Sequence, residues 1–310
     1  MKSHPQIIDR IIEQIRDAKK ICVAGHIRPD GDCIGSQIAL TLALRAADKD
    51  VQCWNQDSIP QKYRFLDPDK IFSQPKSEAE FDLVIATDCA SYERLGSVAE
   101  FIKQRKTLIN IDHHASNTRY GDVNWISPHE PSTGELIYRL LKVARWPITK
   151  QIADCLFTAV STDTGSFQYA TTRPGTFHVG AELVTRGANL AKICDEVYQS
   201  FPLSRARLLK HIYTKFKLTH DNRIAYFWLK KADLSRTGAE SNDTEGLIDH
   251  IRAIEPVVGA CVFEEIEPEI TRISLRSKHE DVNVSDIAAQ FGGGGHAAAA
   301  GARIAGRPLS

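Results

Sequence analysis

ICVAGHIRPDGDCIGSQIALTLALRAA, residues 21–47, contains three kinds of sequence in a fixed order. The run ICVAG (21–25) is continuously apolar and too short for a helix, which is how a strand of a buried parallel sheet reads. HIRPDGD (26–32) is a polar turn. IGSQIALTLALRAA (34–47) then carries apolar residues through four helical turns without a breaker. The sequence predicts strand, loop and helix. Upstream, Ile7, Ile8, Ile11, Ile12 and Ile15 repeat at helical spacing after Pro5, predicting an amphipathic first helix. Downstream, DLVIATDCAS (82–91) and TLINIDHHASN (107–117) repeat the strand grammar, each apolar run ending abruptly in acidic or histidine residues. ADCLFTAVSTDTGSF (153–167) reads as an apolar helix entering a polar turn with Asp163. Helical material follows to about residue 212, punctuated by Pro174, Gly187 and Pro202.

From residue 213 the pattern becomes alternating strands, YTKFKLT (213–219), IAYFWL (224–229), ACVFEEI (260–266) and TRISLRS (271–277). Helices are expected around DTEGLIDHIRAI (243–254) and VSDIAAQF (284–291), followed by the low-complexity stretch GGGGHAAAAGA (292–302). The expected class is α/β: a parallel-sheet, Rossmann-like domain over 1–188, a helical linker over 189–212 and a smaller mixed α/β domain over 213–310. The active site is expected in the cleft between the domains. A chain of 310 residues exceeds what one core usually serves, in line with two domains.

Composition narrows the function. Lys plus Arg (39) equals Asp plus Glu (39), so no global positive field exists to hold a long nucleic acid by counterion release. The seven cysteines, at 22, 33, 53, 89, 155, 194 and 261, are scattered without a C-x-x-C pair and read as reduced thiols. MKSHPQIIDRIIEQIRDAKK interleaves charge with its apolar positions, unlike a signal or transit peptide, and no stretch approaches ~20 apolar residues. A cytoplasmic protein with no membrane association is expected.

Carboxylates that end buried strands are costly unless paired or bound to metal. Asp30, Asp32, Asp88, Asp112 and Asp163 sit in short motifs whose five carboxylates are matched by one basic side chain, Arg28. A lone DGD or TD is ordinarily a surface turn or cap. HIRPDGD, then TD at one strand end, DHH at the next, and TDTG in chain order together point to a divalent-metal site. Gly31 is expected to bend the D-G-D turn so that both carboxylates reach neighbouring metal positions. Oxygen and imidazole donors suit Mn²⁺ or a similar first-row ion, with Mg²⁺ or Co²⁺ as substitutes. A two-metal centre hydrolyses phosphate esters. Cys33 and Cys89 stand beside Asp32 and Asp88 and read as small buried thiols.

GHIRPDGDCIGSQ (25–37), ATDCAS (86–91), NIDHHASNTRYGDVNWI (110–126) and STDTGSFQYATT (161–172) resemble the four motifs of the DHH phosphoesterase superfamily. SLRSK (274–278) and GGGGHAAAAGA resemble its DHH-associated C-terminal domain, and the whole is similar to the branch of bifunctional oligoribonucleases and pAp phosphatases, the nanoRNases. The resemblance implies two Mn²⁺ ions, one held by His26, Asp30 and Asp88, the other by Asp32, Asp88, His113 and Asp163. It implies that Asp112 orients ligands and that His114 contacts the scissile phosphate. Ser116 and Asn117 are either phosphate contacts or turn caps. Arg276, Gly292, Gly293, Gly294, Gly295 and His296 are expected to bind substrate. The implied substrates are RNA of two to about five nucleotides and the 3′-phosphate of pAp. The alternative is linear or cyclic dinucleotide signals (pApA, pGpG, c-di-AMP), and a homodimer is left open. A pyrophosphatase sharing the metal motifs, or an inactive nucleotide-binding protein on the same scaffold, are the competing readings.

Overall fold

The computed structural model describes residues 4–306. The chain forms two compact units, one ending at Ser200 and the other beginning at Phe201. In the first, α1 (His4–Asp17) leads into β1 (Lys20–Ala24), α2 (Gly31–Ala46), β2 (Asp50–Trp54), β3 (Phe72–Ser73) and β4 (Phe81–Thr87). α3 (Val98–Phe101), β5 (Arg105–Asp112), β6 (Val123–Ile126), α4 (Thr133–Ala144), α5 (Lys150–Asp163), α6 (Pro174–Thr185) and α7 (Leu190–Cys194) complete it. Among the described residues no helix is long and apolar enough to cross a membrane.

The six strands are ordered β3-β2-β1-β4-β5-β6 and pair in parallel throughout. The order reverses between β1 and β4, so the chain leaves these two strands toward opposite edges and opens a crevice beyond their carboxyl ends. Alternate strand residues serve opposite faces. Ile21, Val23, Leu83, Ile85, Ile109 and Ile111 share a core with α1, α2, α4 and α5. Cys22, Ala24, Val84, Ala86 and Leu108 face a thinner layer with Trp54, Leu95, Val98 and Ile102. Burial on both faces explains the unbroken apolar runs in the sequence.

α2 is buried along most of its length. Such a helix must touch its neighbours closely, and it lies against α5 through glycine: a Cβ on Gly35 would stand 2.3 Å from the Cys155 main-chain oxygen. Gly31 acts the same way, since a Cβ there would stand 2.4 Å from Thr162 Oγ1. This corrects the expectation of a D-G-D turn. Gly31 is the first residue of α2, Asp30 is its N-cap, and the glycine is required by helix packing rather than by a bend.

In the second unit, α8 (Leu203–Lys215) precedes β7 (Lys217–Thr219), β8 (Ile224–Leu229), α9 (Lys231–Thr237) and α10 (Leu247–Arg252). β9 (Gly259–Glu267), β10 (Ile270–Ser277), α11 (Val284–Ala289), β11 (Gly294–His296) and β12 (Ala299–Ala305) follow. The sheet order is β11-β12-β10-β9-β8-β7, antiparallel except for the parallel β8–β9 pair. Leu208 and Ile212 of α8 pack with Leu247, Ile248 and Ile251 of α10 on Ala225, Phe227, Leu229, Ala260 and Val262. The strand expected at 213–219 is therefore shorter. Tyr213–Lys215 finish α8, whose buried Leu208 and Ile212 sit one turn apart, and only Lys217–Thr219 are extended. Within 189–212, Ile193 and Val197 join the first unit's core and Leu208 and Ile212 the second's.

Gly35→Ala should destabilise the protein by about 1–3 kcal/mol despite alanine's better helix propensity, because the added methyl meets backbone rather than a movable side chain. Gly175→Ala, with nothing within 4 Å of the new Cβ, should be neutral or stabilising by up to about 1 kcal/mol. Urea unfolding midpoints of the two variants test the difference.

Candidate metal centre

Five stretches of chain reach the crevice at the carboxyl edge of the sheet. The loop after β1 supplies His26 and Asp30, the first turn of α2 supplies Asp32, the end of β4 supplies Asp88, the end of β5 supplies Asp112 to His114, and the last residue of α5 is Asp163. His26 Nε2 lies 3.4 Å from Asp88 Oδ2 and 3.7 Å from Asp30 Oδ2. His113 Nε2 lies 3.0 Å from Asp163 Oδ2, 3.6 Å from Asp88 Oδ1 and 3.9 Å from Asp32 Oδ2. Asp88 thus faces both imidazoles, one with each oxygen. The six residues expected as ligands from the sequence are brought together.

Both rings are oriented from behind. His26 Nδ1 contacts the Ile27 carbonyl at 2.8 Å and His113 Nδ1 the Glu130 carbonyl at 3.2 Å. A carbonyl only accepts, so each Nδ1 carries a proton and each Nε2 is turned toward the carboxylates, where loss of its own proton would free a lone pair for a cation. The Glu130 side chain is in turn held by Arg139 Nη2 at 2.8 Å and by Arg173. The His26 loop is fixed by Asn55, whose Nδ2 donates to the His26 carbonyl at 3.1 Å, and by Ile27 N–H donating to Arg94 O at 2.7 Å.

The carboxylates are placed by helix starts. Asp30 caps α2, its Oδ1 accepting from the Cys33 amide at 3.0 Å. Asp32 Oδ2 accepts from Thr133 N at 2.6 Å and its Oδ1 from Gly134 N at 2.8 Å and Ser36 Oγ at 3.1 Å. The N-terminus of α4 therefore points its free N–H groups at a buried carboxyl group, a favourable arrangement for the helix dipole. Asp88 is at φ +54° and its Oδ1 accepts from Thr133 Oγ1 at 3.1 Å. A non-glycine residue in the left-handed region is uncommon and concentrates at functional sites.

Charge balance favours a cation. Burial, together with Asp88 and Asp163, pushes Asp32 well above the carboxylate range, and burial also raises Asp163. Burial would raise Asp88 too, but a hydrogen bond from His26 and the nearby His114, His26 and His113 hold it down. Burial would lower His26 and His113, yet Cys33, Asp30 and Asp88 raise the first and Asp163, Asp88 and Asp32 the second. The carboxylates compete for too little positive charge. Divalent ions relieve this crowding, and the oxygen and imidazole donors fit them.

Asp112, fully buried, serves its neighbours. Its Oδ1 accepts from the His113 amide at 2.9 Å and faces His114 Nδ1 at 2.8 Å, while its Oδ2 accepts from Asn117 Nδ2 at 2.6 Å. His114 is partly exposed, with Nδ1 3.7 Å from Asp88 Oδ1. Asn117 Nδ2 also reaches Asn110 Oδ1 and Cys89 O, so its side chain braces the loop. Cys33 and Cys89 are both fully buried, and burial pushes their thiols up to about 11 and about 12.

The expected substrate residues lie in the second unit. Arg276 on β10 and His296 on β11 both pair with Ala299 of β12, so they share one sheet face across a small residue. Two strand spacings put their backbones about 10 Å apart. Arg276 is partly buried, its Nη1 donating to Leu275 O at 3.0 Å with Nε 4.0 Å from Asp249, whereas His296 is exposed. Gly292 and Gly295 have φ of +70° and +147°, and a Cβ on Gly293 would stand 2.1 Å from Gly301 O. The glycines let β11 lie close on β12. A cavity of about 380 Å³ on the same sheet is lined by Arg272, Ser274, Gly292, Gly293, Gly301 and Arg303.

Thr133 and Gly134, whose groups hold Asp88 and Asp32, were missed from the sequence. STGE (132–135) has the S-x-x-E form of a helix start, and that signal would have placed an N-terminus at the site. Nothing local marks Glu130.

Comparison with known proteins agrees with this geometry. Residues 20–160 match the model of the DHH family, N-terminal domain, and residues 221–308 that of the DHHA1 domain. The bifunctional oligoribonuclease and PAP phosphatase NrnA of Thermus thermophilus is 31% identical over 97% of this chain and 89% of its own. Its Bacillus subtilis namesake is 28% identical over 90% of this chain and 87% of its own. The crystal structure of an exopolyphosphatase-related protein from Bacteroides fragilis superposes with a TM-score of 0.89 at 26% identity, covering 99% of this chain and 94% of the other.

Thr133→Val keeps the shape of the side chain but removes the hydroxyl donated to Asp88. Mn²⁺ affinity measured by calorimetry should fall about 10–100-fold, while the thermal midpoint changes little. An unchanged affinity would show that the hydroxyl does not tune Asp88.

Proposed function

The chain belongs to the DHH/DHHA1 phosphoesterase family, and on that footing we propose that it is a two-metal phosphodiesterase. It hydrolyses RNA of two to about five nucleotides to mononucleotides and removes the 3′-phosphate of pAp. The observation that carries the proposal is Asp88, which presents one oxygen to each of two imidazoles whose Nε2 atoms are aimed at carboxylates. His26, Asp30 and Asp88 would hold one ion and Asp32, Asp88, His113 and Asp163 the other, with Mn²⁺ as the expected metal. Bound there, two divalent ions would polarise the phosphoryl oxygens and lower the pKa of an attacking water.

The protein's own groups do the rest. Asp112 fixes the proton of His114 on Nδ1, leaving Nε2 to contact the scissile phosphate and ease charge on the leaving oxygen. Thr133 and the α4 N-terminus hold Asp88 and Asp32 in place. The water oxygen adds to phosphorus as the bond to the leaving 3′-oxygen breaks, and that oxygen takes up a proton. In the second unit, Arg276 grips a terminal phosphate and His296 and the glycine strand the nucleoside. The zero net charge of the chain fits a short substrate.

With Mn²⁺, the protein should degrade dinucleotides faster than a 20-mer and release inorganic phosphate from pAp. Equal or better rates on the long strand would reject the substrate reading, and preferential turnover of pApA, pGpG or c-di-AMP would redirect it to dinucleotide signals. EDTA should abolish activity and Mn²⁺ restore it, and Asp88→Ala should be inactive in metal-replete buffer. Asp112→Asn should lower kcat roughly 10–100-fold with metal stoichiometry retained. Arg276→Lys, which loses two-pronged phosphate binding, should act mainly on KM.

A further inference from the structure

Cys33 is the third residue of α2 and fully buried, with its sulfur close to the ligand cluster. A ring nitrogen of His26, the Cys33 sulfur and a carboxylate oxygen of Asp88 all lie within 4.8 Å of one another. Donors around one small divalent cation, at about 2.0–2.3 Å each, stand about 3–4 Å apart, so modest adjustment closes the group. Asp30 Oδ2, 3.7 Å from His26 Nε2, is available as a fourth donor.

We propose that Cys33 is a sulfur ligand of the cation held by His26 and Asp88, and that this position prefers Zn²⁺ or Co²⁺ to Mn²⁺. The Asp32–His113–Asp163 position keeps oxygen and nitrogen donors only. The proposal rests on the reading of the cluster as a metal centre.

The hydrogen bonds around the sulfur permit the change. In the thiol form Cys33 S–H has two acceptors, Gln37 Oε1 at 3.5 Å and the His26 carbonyl at 3.8 Å. Both already receive Asn55 Nδ2, each at 3.1 Å. When the cation binds, the thiol proton leaves to solvent, the sulfur gains a bond to the ion, and neither acceptor is stranded. The first turn of α2, a helix of 16 residues, favours the anionic sulfur. Thiolate in turn favours softer ions over Mn²⁺. Cys89, although next to Asp88 in the chain, directs its S–H to Ser91 O at 3.2 Å and is not part of the group.

The test is cobalt absorption of the full-length protein after EDTA treatment and dialysis. Visible d–d bands report bound Co²⁺ and a near-ultraviolet thiolate-to-cobalt charge-transfer band reports sulfur. The wild type should show both. Cys33→Ala and Cys33→Ser should keep the d–d bands, lose the near-ultraviolet band and bind Zn²⁺ at least 10-fold more weakly, with Mn²⁺ affinity within threefold of wild type. Cys89→Ala should retain the band. If the variants do not fold, X-ray absorption of the zinc-loaded wild type should still find a sulfur scatterer at about 2.3 Å. Visible bands without the near-ultraviolet band or sulfur scatterer, or a band that survives in both Cys33 variants, would overturn the proposal. No cobalt binding at all would overturn the metal-centre reading beneath it.

Discussion

Like charge packed into a small volume is the constraint around which the first unit is built. Asp32 and Asp88 are almost fully buried, and Asp163 and Asp30 converge on the same space. Each burial is unfavourable unless a donor answers it. The donors come from elements that exist for other reasons: the N-terminus of α4 for Asp32, the capped start of α2 for Asp30, a hydroxyl for one oxygen of Asp88. Two imidazoles face the remaining oxygens, and a cation is what completes the balance.

That constraint reaches into the scaffold. α4 and α5 must approach α2 closely enough for Asp32 to meet Thr133 and for Asp163 to meet His113. Gly31, Gly35 and Gly134 allow it: a Cβ on Gly134 would meet Ala159 at 2.6 Å and lie 3.3 Å from Asp32 Oδ1. The reversal of strand order between β1 and β4 supplies the crevice. The left-handed Asp88 turns the chain at its floor, with its N–H donating to Ile111 O at 3.0 Å on the neighbouring strand.

What the sequence revealed follows from which forces are local. Strands β1, β4 and β5 were legible because both faces are buried and the apolar runs are unbroken, and their acidic ends located the site. The N-terminal helix was legible because Ile8, Ile11 and Ile15 are buried and Ile7 and Ile12 pack against the same core. Gly31 was misread because a glycine between two aspartates suggests a turn, whereas its role is set by Thr162, 131 positions away in the chain. The positions of Glu130 and Asn55 behind the ligands depend on long-range packing and leave no local pattern, whereas Thr133 lies inside the S-x-x-E helix start at 132–135. Tyr213 to Lys215 were misassigned because alternation over a few residues cannot be told from one exposed edge of a helix.

The two sheets place side chains differently because of their pairing. A parallel sheet delivers every loop that follows a strand to the same edge, so one edge can gather six polar side chains from remote positions. An antiparallel sheet instead lines up side chains from several strands on a flat face. Arg276, Ala299 and His296 form such a row, with a methyl between two polar groups and glycine beside them. The row is about 10 Å between its ends, the scale of the single nucleotide with one phosphate proposed above as its ligand. Holding a long strand would require the row to continue as a basic stripe. On β10 the alternate residue Arg272 already has its guanidinium on Glu264, Nε lying 2.9 Å from Oε2. Arg303, opposite Arg272 on β12 and exposed, is the cation that would have to extend such a stripe.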